Sequence, residues 1–253
     1  NIFDELKKDD LNSIDIDEHA LEDSRLQSAQ NDEYISESNN YTFTDLNNEL
    51  NTSVDVVNIE HNYKFNNETD NGLIFICKDN LTINGNNHVI DGNGQTDIFC
   101  IIAKNITINN LIFINGNCKT GNLLISDGGG AIKLRGTLTL NNVTFINNSA
   151  NYNGGDLFVC GGEVSCLNCN FIDSYSINGN SIYLEGSVLD MKYCNFTSKY
   201  SSKWSTVFAQ LSDVFIDNCI FTNISSVYAP ALFAQSGNAI INNSTFNYLK
   251  ADK

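Results

Sequence analysis

The sequence has one proline, one tryptophan and one methionine in 253 residues, and charged residues make up only 17% of it. Its only arginines are Arg25 and Arg135, and 14 basic residues stand against 30 acidic ones. Phosphate binding depends on clustered Lys and Arg, so a net charge of -16 argues against a nucleic-acid partner. Long apolar runs are missing too. The longest, around Ile98 to Ala103, is far short of a membrane span, so no membrane insertion by this segment is expected. There is no initiator Met and no signal-peptide pattern, and the chain reads as a processed or excised piece. What is present is a hydrophobic fraction of 42%, enough for a core, with about 40 Asn and 17 Gly supplying the punctuation that proline does not.

The acidic balance is uneven. Residues 1–40 hold 12 Asp or Glu and three Lys or Arg, with short apolar groups such as Ile14 and Ile16 diluted by charge. They read as an acidic flexible leader. From Tyr41 the texture changes. Thr44 to Leu50 predicts one or two helical turns, with Thr44 as N-cap and Leu46 and Leu50 on one face.

Beyond Leu50 the chain repeats. Phe113, Phe145, Phe171, Phe196, Phe221 and Phe246 recur with a period of about 25 residues after a longer first interval. Two residues before each stand Leu111, Val143, Cys169, Cys194, Cys219 and Ser244; five before stand Ile108, Leu140, Cys166, Met191, Ile216 and Ile241. Seven before stand Ile106, Leu138, Val164, Leu189, Val214 and Ala239. The column three before the Phe is Asn110, Asn142, Asn168, Tyr193, Asn218 and Asn243.

Positions seven and five before the Phe alternate as one strand facing inward, and positions two before and zero as another. The three-residue step between the pairs requires a bend, which Asn suits because it tolerates the left-handed backbone region. A third apolar run follows in each period, as in Ser181-Ile-Tyr-Leu184 and Thr206-Val-Phe-Ala209. Three strands in about 25 residues make one coil of a parallel β-helix. Less regular coils precede the Phe columns, around Val56 to Ile59, Leu73 to Ile76, Leu81 to Ile83 and Ile98 to Ile102. The expected fold is therefore all-β: a right-handed single-stranded parallel β-helix of about eight coils over residues 41–253, with an N-terminal helical cap. Like residues should stack into ladders of Asn and of Phe. No cap is evident after Phe246, so the native protein is expected to continue, with further domains of the same chain.

Leu138 to Asn148, with Gly129-Gly-Ala-Ile132 before it and Gly154-Gly-Asp-Leu157 after, resembles the GGAI and FxxN repeats of polymorphic outer-membrane proteins. With Asn80-Leu-Thr-Ile-Asn-Gly85 and Ile90-Asp-Gly92, the Asn- and Ile-rich texture is still more similar to adhesin-like surface proteins of methanogenic archaea. The resemblance covers residues 41–253. It implies a pectate-lyase-like β-helix that is exported and mediates attachment. FxxN is complete only at Phe145–Asn148 and GGAI occurs once, and nothing corresponds to the transmembrane barrel that ends the bacterial proteins.

Eight cysteines invite a redox or metal reading, and Cys166-Leu-Asn-Cys169 is a CxxC. A zinc site wants four N or S ligands, yet His19, His61 and His88 all lie far upstream. Cys166, Cys169, Cys194 and Cys219 instead read as small buried hydrophobes in inward columns, and no metal or cofactor is expected. Cys77 and Cys100, close to one period apart, are the best-spaced candidates for a disulfide; the state of Cys118 and Cys160 stays open. Asp156, Asp173, Asp190, Asp213 and Asp217 fall in different columns, and Arg135 has only Lys133 near it on its strand face. That is not the paired carboxylate arrangement of a glycoside hydrolase.

The aromatics form a pattern of their own. Tyr175 and Tyr200 share the column four after the Phe, Tyr152 and Tyr228 the column seven after, and Trp204 stands at eight. All five fall in the turn between the second and third strands. They either form a binding edge for sugar rings or a partner protein, or fold back over the outer face of the coil. Eleven Asn-x-Ser/Thr sequons, Asn105, Asn142, Asn195, Asn223 and Asn243 among them, permit glycosylation. The functional expectation is a non-enzymatic, extracellular, cell-surface adhesin-like module that presents this edge to a glycan or protein of another cell. The alternatives are a polysaccharide lyase or hydrolase, or a scaffold for a catalytic domain outside this chain.

Overall fold

The computed structural model describes residues 41–119 and 128–251; the expected acidic leader lies outside the described residues. These residues wind into a parallel β-helix. In one representative coil Val188–Lys192, Asn195–Thr197 and Val207–Gln210 each pair in parallel with the strand one period before and the strand one period after. Stacking such coils builds three long sheets of eight, nine and seven strands. The eight-stranded first sheet runs from Val56–Asn58 to Ala239–Asn242, one strand per coil.

Register is set by the inward columns. Phe113, Phe145, Phe171, Phe196, Phe221 and Phe246 stand directly opposite one another along the second sheet. Their rings stack with centroids 4.5–5.4 Å apart and planes within 11° of parallel. The longer interval from Phe113 to Phe145 keeps this pairing, and Ile132–Leu134 is again in register with the third strands on either side. One continuous core results, containing the Ile, Leu and Val of the first strand and the Cys and Phe of the second. A one-residue slip would turn every one of these side chains to solvent.

The corners account for the asparagine. Asn110, Asn142, Asn168, Tyr193, Asn218 and Asn243 all have φ between 47° and 55°, and this left-handed residue makes the bend between first and second strands. Two residues after the ladder Phe, Asn115, Asn147, Asp173, Asn223 and Tyr248 repeat the device at φ 51–55°. Asn side chains also bond to one another up the stack: at the last residue of the first strand Asn84 to Asn58, Asn109 to Asn84 and Asn141 to Asn109 at 2.9–3.0 Å, and at the corner itself Asn142 to Asn110 at 2.8 Å. At the third corner Gly161 and Gly186 adopt φ 63° and 57°, and Leu211 occupies the equivalent place at φ 51° with its side chain 61% exposed.

Helix α1, Phe43–Leu50, covers the first coil and buries Phe43, Leu46 and Leu50 in its core. It starts two residues earlier than the sequence predicts, and its cap is a different threonine. Thr42, not Thr44, is the N-cap, in a capping box with Asp45. Thr44 lies inside the helix, where its hydroxyl and N–H donate to Oδ1 of Asp70 at 2.8 and 2.9 Å. Asp70 thereby pins the helix start from 26 residues away, and Tyr63 donates its phenol to Glu49 at 2.5 Å to hold the other end.

Two substitutions test this account of the stack. Phe196→Ala removes a ring packed on both sides and is expected to lower the unfolding free energy by about 3–5 kcal/mol in urea titration. Leu211→Asn relieves a left-handed leucine that buries little, and is expected to raise it by about 0.5–1 kcal/mol.

Candidate functional site

The cysteine column is structural. Cys169, Cys194 and Cys219 are each at most 1% exposed and lie at the inner side of the first corner. Their thiols donate to corner carbonyls, Cys194 to Cys166 O and Lys192 O at 3.5 Å and Cys219 to Asp217 O at 3.4 Å. The Cys194 N–H donates to Cys219 Sγ at 3.4 Å, and in the next coil the Cys219 N–H donates to Ser244 Oγ at 3.0 Å, so a hydroxyl serves equally well. The hydrogen bond with Cys169 and burial push the Cys194 thiol up to about 12, which disfavours the thiolate that redox chemistry or metal binding requires. Among the described residues no three His, Cys, Asp or Glu come together as a metal site.

No disulfide joins any of the eight cysteines, and the suggested Cys77–Cys100 disulfide does not form. The register explains this: Cys100 stands opposite Phe75 on one side and Lys133 on the other, leaving Cys77 two positions further along. Lys133 is not a free companion to Arg135 either. It is 4% exposed on the outer side of its strand, with its ammonium 2.5 Å from Asp97.

The five aromatics do lie in one turn of four successive coils, but they separate into two kinds. Tyr152, Tyr175, Tyr200 and Tyr228 are 51, 43, 37 and 56% exposed. Tyr175 and Tyr200 meet edge to face with centroids 6.2 Å apart, and the Lys199 ammonium lies 5.2 Å from the Tyr200 ring while pairing with Asp173 at 2.9 Å. Trp204 is half-buried. It packs edge-on to Phe208 at 6.0 Å and tilted against Phe233 at 5.1 Å, and Tyr228 stacks over it at 4.5 Å. For Trp204 the fold-back alternative holds, whereas the tyrosines face solvent.

What Trp204 covers is a second aromatic ladder that the repeat columns did not reveal. Phe158, Tyr183, Phe208 and Phe233 stand in register on the outer side of the third sheet. Their rings stack 4.9–5.5 Å apart, and the first three are at most 8% exposed. Their signal in the sequence is a near-constant offset from Phe145, Phe171, Phe196 and Phe221, half a coil further on.

Beneath the tyrosines the turn has a polar interior. Buried Ser198 accepts from the Tyr200 N–H at 3.1 Å, and buried Asn180 donates to the Tyr200 carbonyl at 3.2 Å. The Tyr175 N–H donates to Asn148 O at 3.0 Å, and the Tyr152 carbonyl accepts from the Asn178 N–H at 2.8 Å. The rings thus project from a backbone fixed on both sides. At about 4.8 Å per coil, Tyr152 and Tyr228 are roughly 14 Å apart along the axis.

No protein-family model matches the chain, and no curated protein matches it in sequence. Among solved structures it is similar to L. reuteri 53608 SRRP, with a TM-score of 0.37 and 12% identity, over 84% of this chain and 99% of that one. Among the described residues no helix is long and apolar enough to cross a membrane.

One acid in the turn interior stands apart. Asp156 is fully buried; Asn148 Nδ2 donates to its Oδ1 at 2.9 Å and Ser174 Oγ to its Oδ2 at 2.5 Å. Burial without a cation raises its pKa to about 7, outweighing these hydrogen bonds. Since the folded-state pKa lies above that of an unfolded Asp, the folded chain holds the proton more tightly. The stability due to the neutral acid is complete below about pH 4 and is lost as pH rises towards 7. Asp156→Asn, which keeps the shape and removes the charge, is expected to be the more stable protein at pH 8, by about 4 kcal/mol relative to the difference at pH 4. Urea unfolding of both proteins across that range checks it.

Proposed function

We propose that this β-helix is a cell-surface adhesive module whose tyrosine edge binds a glycan of another cell or its matrix. The observation that carries the reading is the set of four tyrosines, 37–56% exposed, on the same turn of consecutive coils. A sugar ring offers an apolar face and a rim of hydroxyls. A tyrosine held in place offers a flat apolar surface with a polar tip and little entropy left to lose. Spaced along a rigid axis, such rings suit an extended chain of sugars better than a compact ligand. The solenoid is suited to the role because each coil contacts only its neighbours, so turns vary without disturbing the core. On this reading the protein is exported, and the ladders are the scaffold that holds the edge at a distance from its anchor.

The test is a glycan and cell-wall-polymer array probed with the wild type and with a Tyr175→Ala/Tyr200→Ala/Tyr228→Ala variant. Trp204 stays intact because its ring covers the Phe208–Phe233 ladder. Binding by the wild type that falls at least tenfold in the variant, at an unchanged melting temperature, is expected. Binding that survives the triple substitution, or no binding by the wild type, would refute the reading.

A further inference from the structure

In the coils on either side, the position that Asp156 occupies is held by neutral residues: the sheet register aligns it with Ala131, Ser181, Thr206 and Ala231. The fold therefore requires no carboxyl there. This one nevertheless connects three parts of the tyrosine-bearing edge. Asn148 opens the turn that displays Tyr152, Asp156 closes it, and Ser174 immediately precedes Tyr175 in the next coil. The nearby charged groups are otherwise engaged. Lys133, on the outer side of the same sheet, pairs with Asp97 at 2.5 Å, and Asp173 pairs with Lys199 at 2.9 Å. Among the described residues no cation bonds the Asp156 carboxyl, whose partners are Asn148, Ser174 and Ser181, all neutral and buried.

We propose that Asp156 is a pH-sensitive fastening of the tyrosine edge: its neutral carboxyl holds the turns carrying Tyr152 and Tyr175 in place, and its ionisation releases them. As a form of regulation this rests on the adhesive reading of that edge; as a conformational claim it stands apart from any ligand. In the neutral form the short contact with Ser174 can be made in either direction, the carboxyl O–H donating to the hydroxyl or the carboxyl's carbonyl oxygen accepting from it. In the ionised form a full charge lies in the turn interior with only dipoles to balance it, and opening the turn to water is the available relief. With burial raising the carboxyl to about 7, the change falls close to neutrality, and the edge is better ordered on the acid side.

Amide hydrogen exchange on the full chain, read by mass spectrometry from pH 5 to pH 9 and corrected for intrinsic rates, tests this without a ligand. A failed glycan array and a failed fastening are thereby distinguishable. In the wild type, exchange in residues 149–155 and 173–178 is expected to rise by up to tenfold per pH unit and to level off above about pH 7. Strands of the Phe ladder should not follow. Asp156→Asn should abolish the rise. Ser174→Ala, which removes a donor to the ionised form, should move the plateau to higher pH, a displacement that a merely structural contact would not produce. A profile that is the same in wild type and Asp156→Asn, or exchange that rises equally throughout the solenoid, would overturn the proposal.

Discussion

The structure depends on one constraint: every inward side chain must stack on its equivalent one coil away. A parallel strand in register offers nowhere else for it to go, and a shift by one residue would expose the whole column. Phe171, Phe196 and Phe221 meet this condition most closely, with rings 4.5 Å apart and planes within 3°. The same constraint governs the polar positions. At the last residue of the first strand the amides at 58, 84, 109 and 141 link into a continuous chain of hydrogen bonds, and at the corner itself Asn142 bonds to Asn110. Asparagine is abundant because it both makes the left-handed bend and satisfies its neighbour once there.

Where the constraint is relaxed, the coils differ. The turn between second and third strands varies in length and composition while the columns on either side of it hold. Its interior is a seam of buried Asn, Ser and Asp rather than a hydrophobic ladder, and that seam fixes the backbone from which the tyrosines project. Buried polar groups of this kind specify one conformation when fully satisfied and become costly when one of them changes charge. Asp156 is such a group, surrounded by dipoles alone.

The inward columns are legible in the sequence because they recur once per coil in residues whose size and polarity are restricted. Phe113 to Phe246, the Asn corner and the cysteine column align without coordinates, and the cysteines' role as packed hydrophobes follows from the same alignment. Features fixed by single contacts are harder to see. Thr42 is the helix cap because Asp45 completes a box with it, and Thr44 turns to Asp70, a partner 26 residues away. The outer ladder of Phe158, Tyr183, Phe208 and Phe233 is hidden because outward positions usually carry polar residues; here Trp204 covers one end of it. For the same reason the five aromatics read as one strip, although Trp204 is part of the packing and only the tyrosines are presented. Asp156 gives no signal, since the burial of a turn residue depends on how the turn folds.

The most direct measurement of the stacking constraint is a pair of double-mutant cycles in the Phe ladder, with Phe→Leu substitutions and urea unfolding. Phe171 and Phe196 occupy adjacent coils, whereas Phe171 and Phe221 are separated by one. The account predicts a coupling of about 0.5–1.5 kcal/mol for the adjacent pair and additivity within about 0.5 kcal/mol for the separated pair. Equal coupling in both cycles, or none in either, would contradict a core held together by the stacking of each coil on the next.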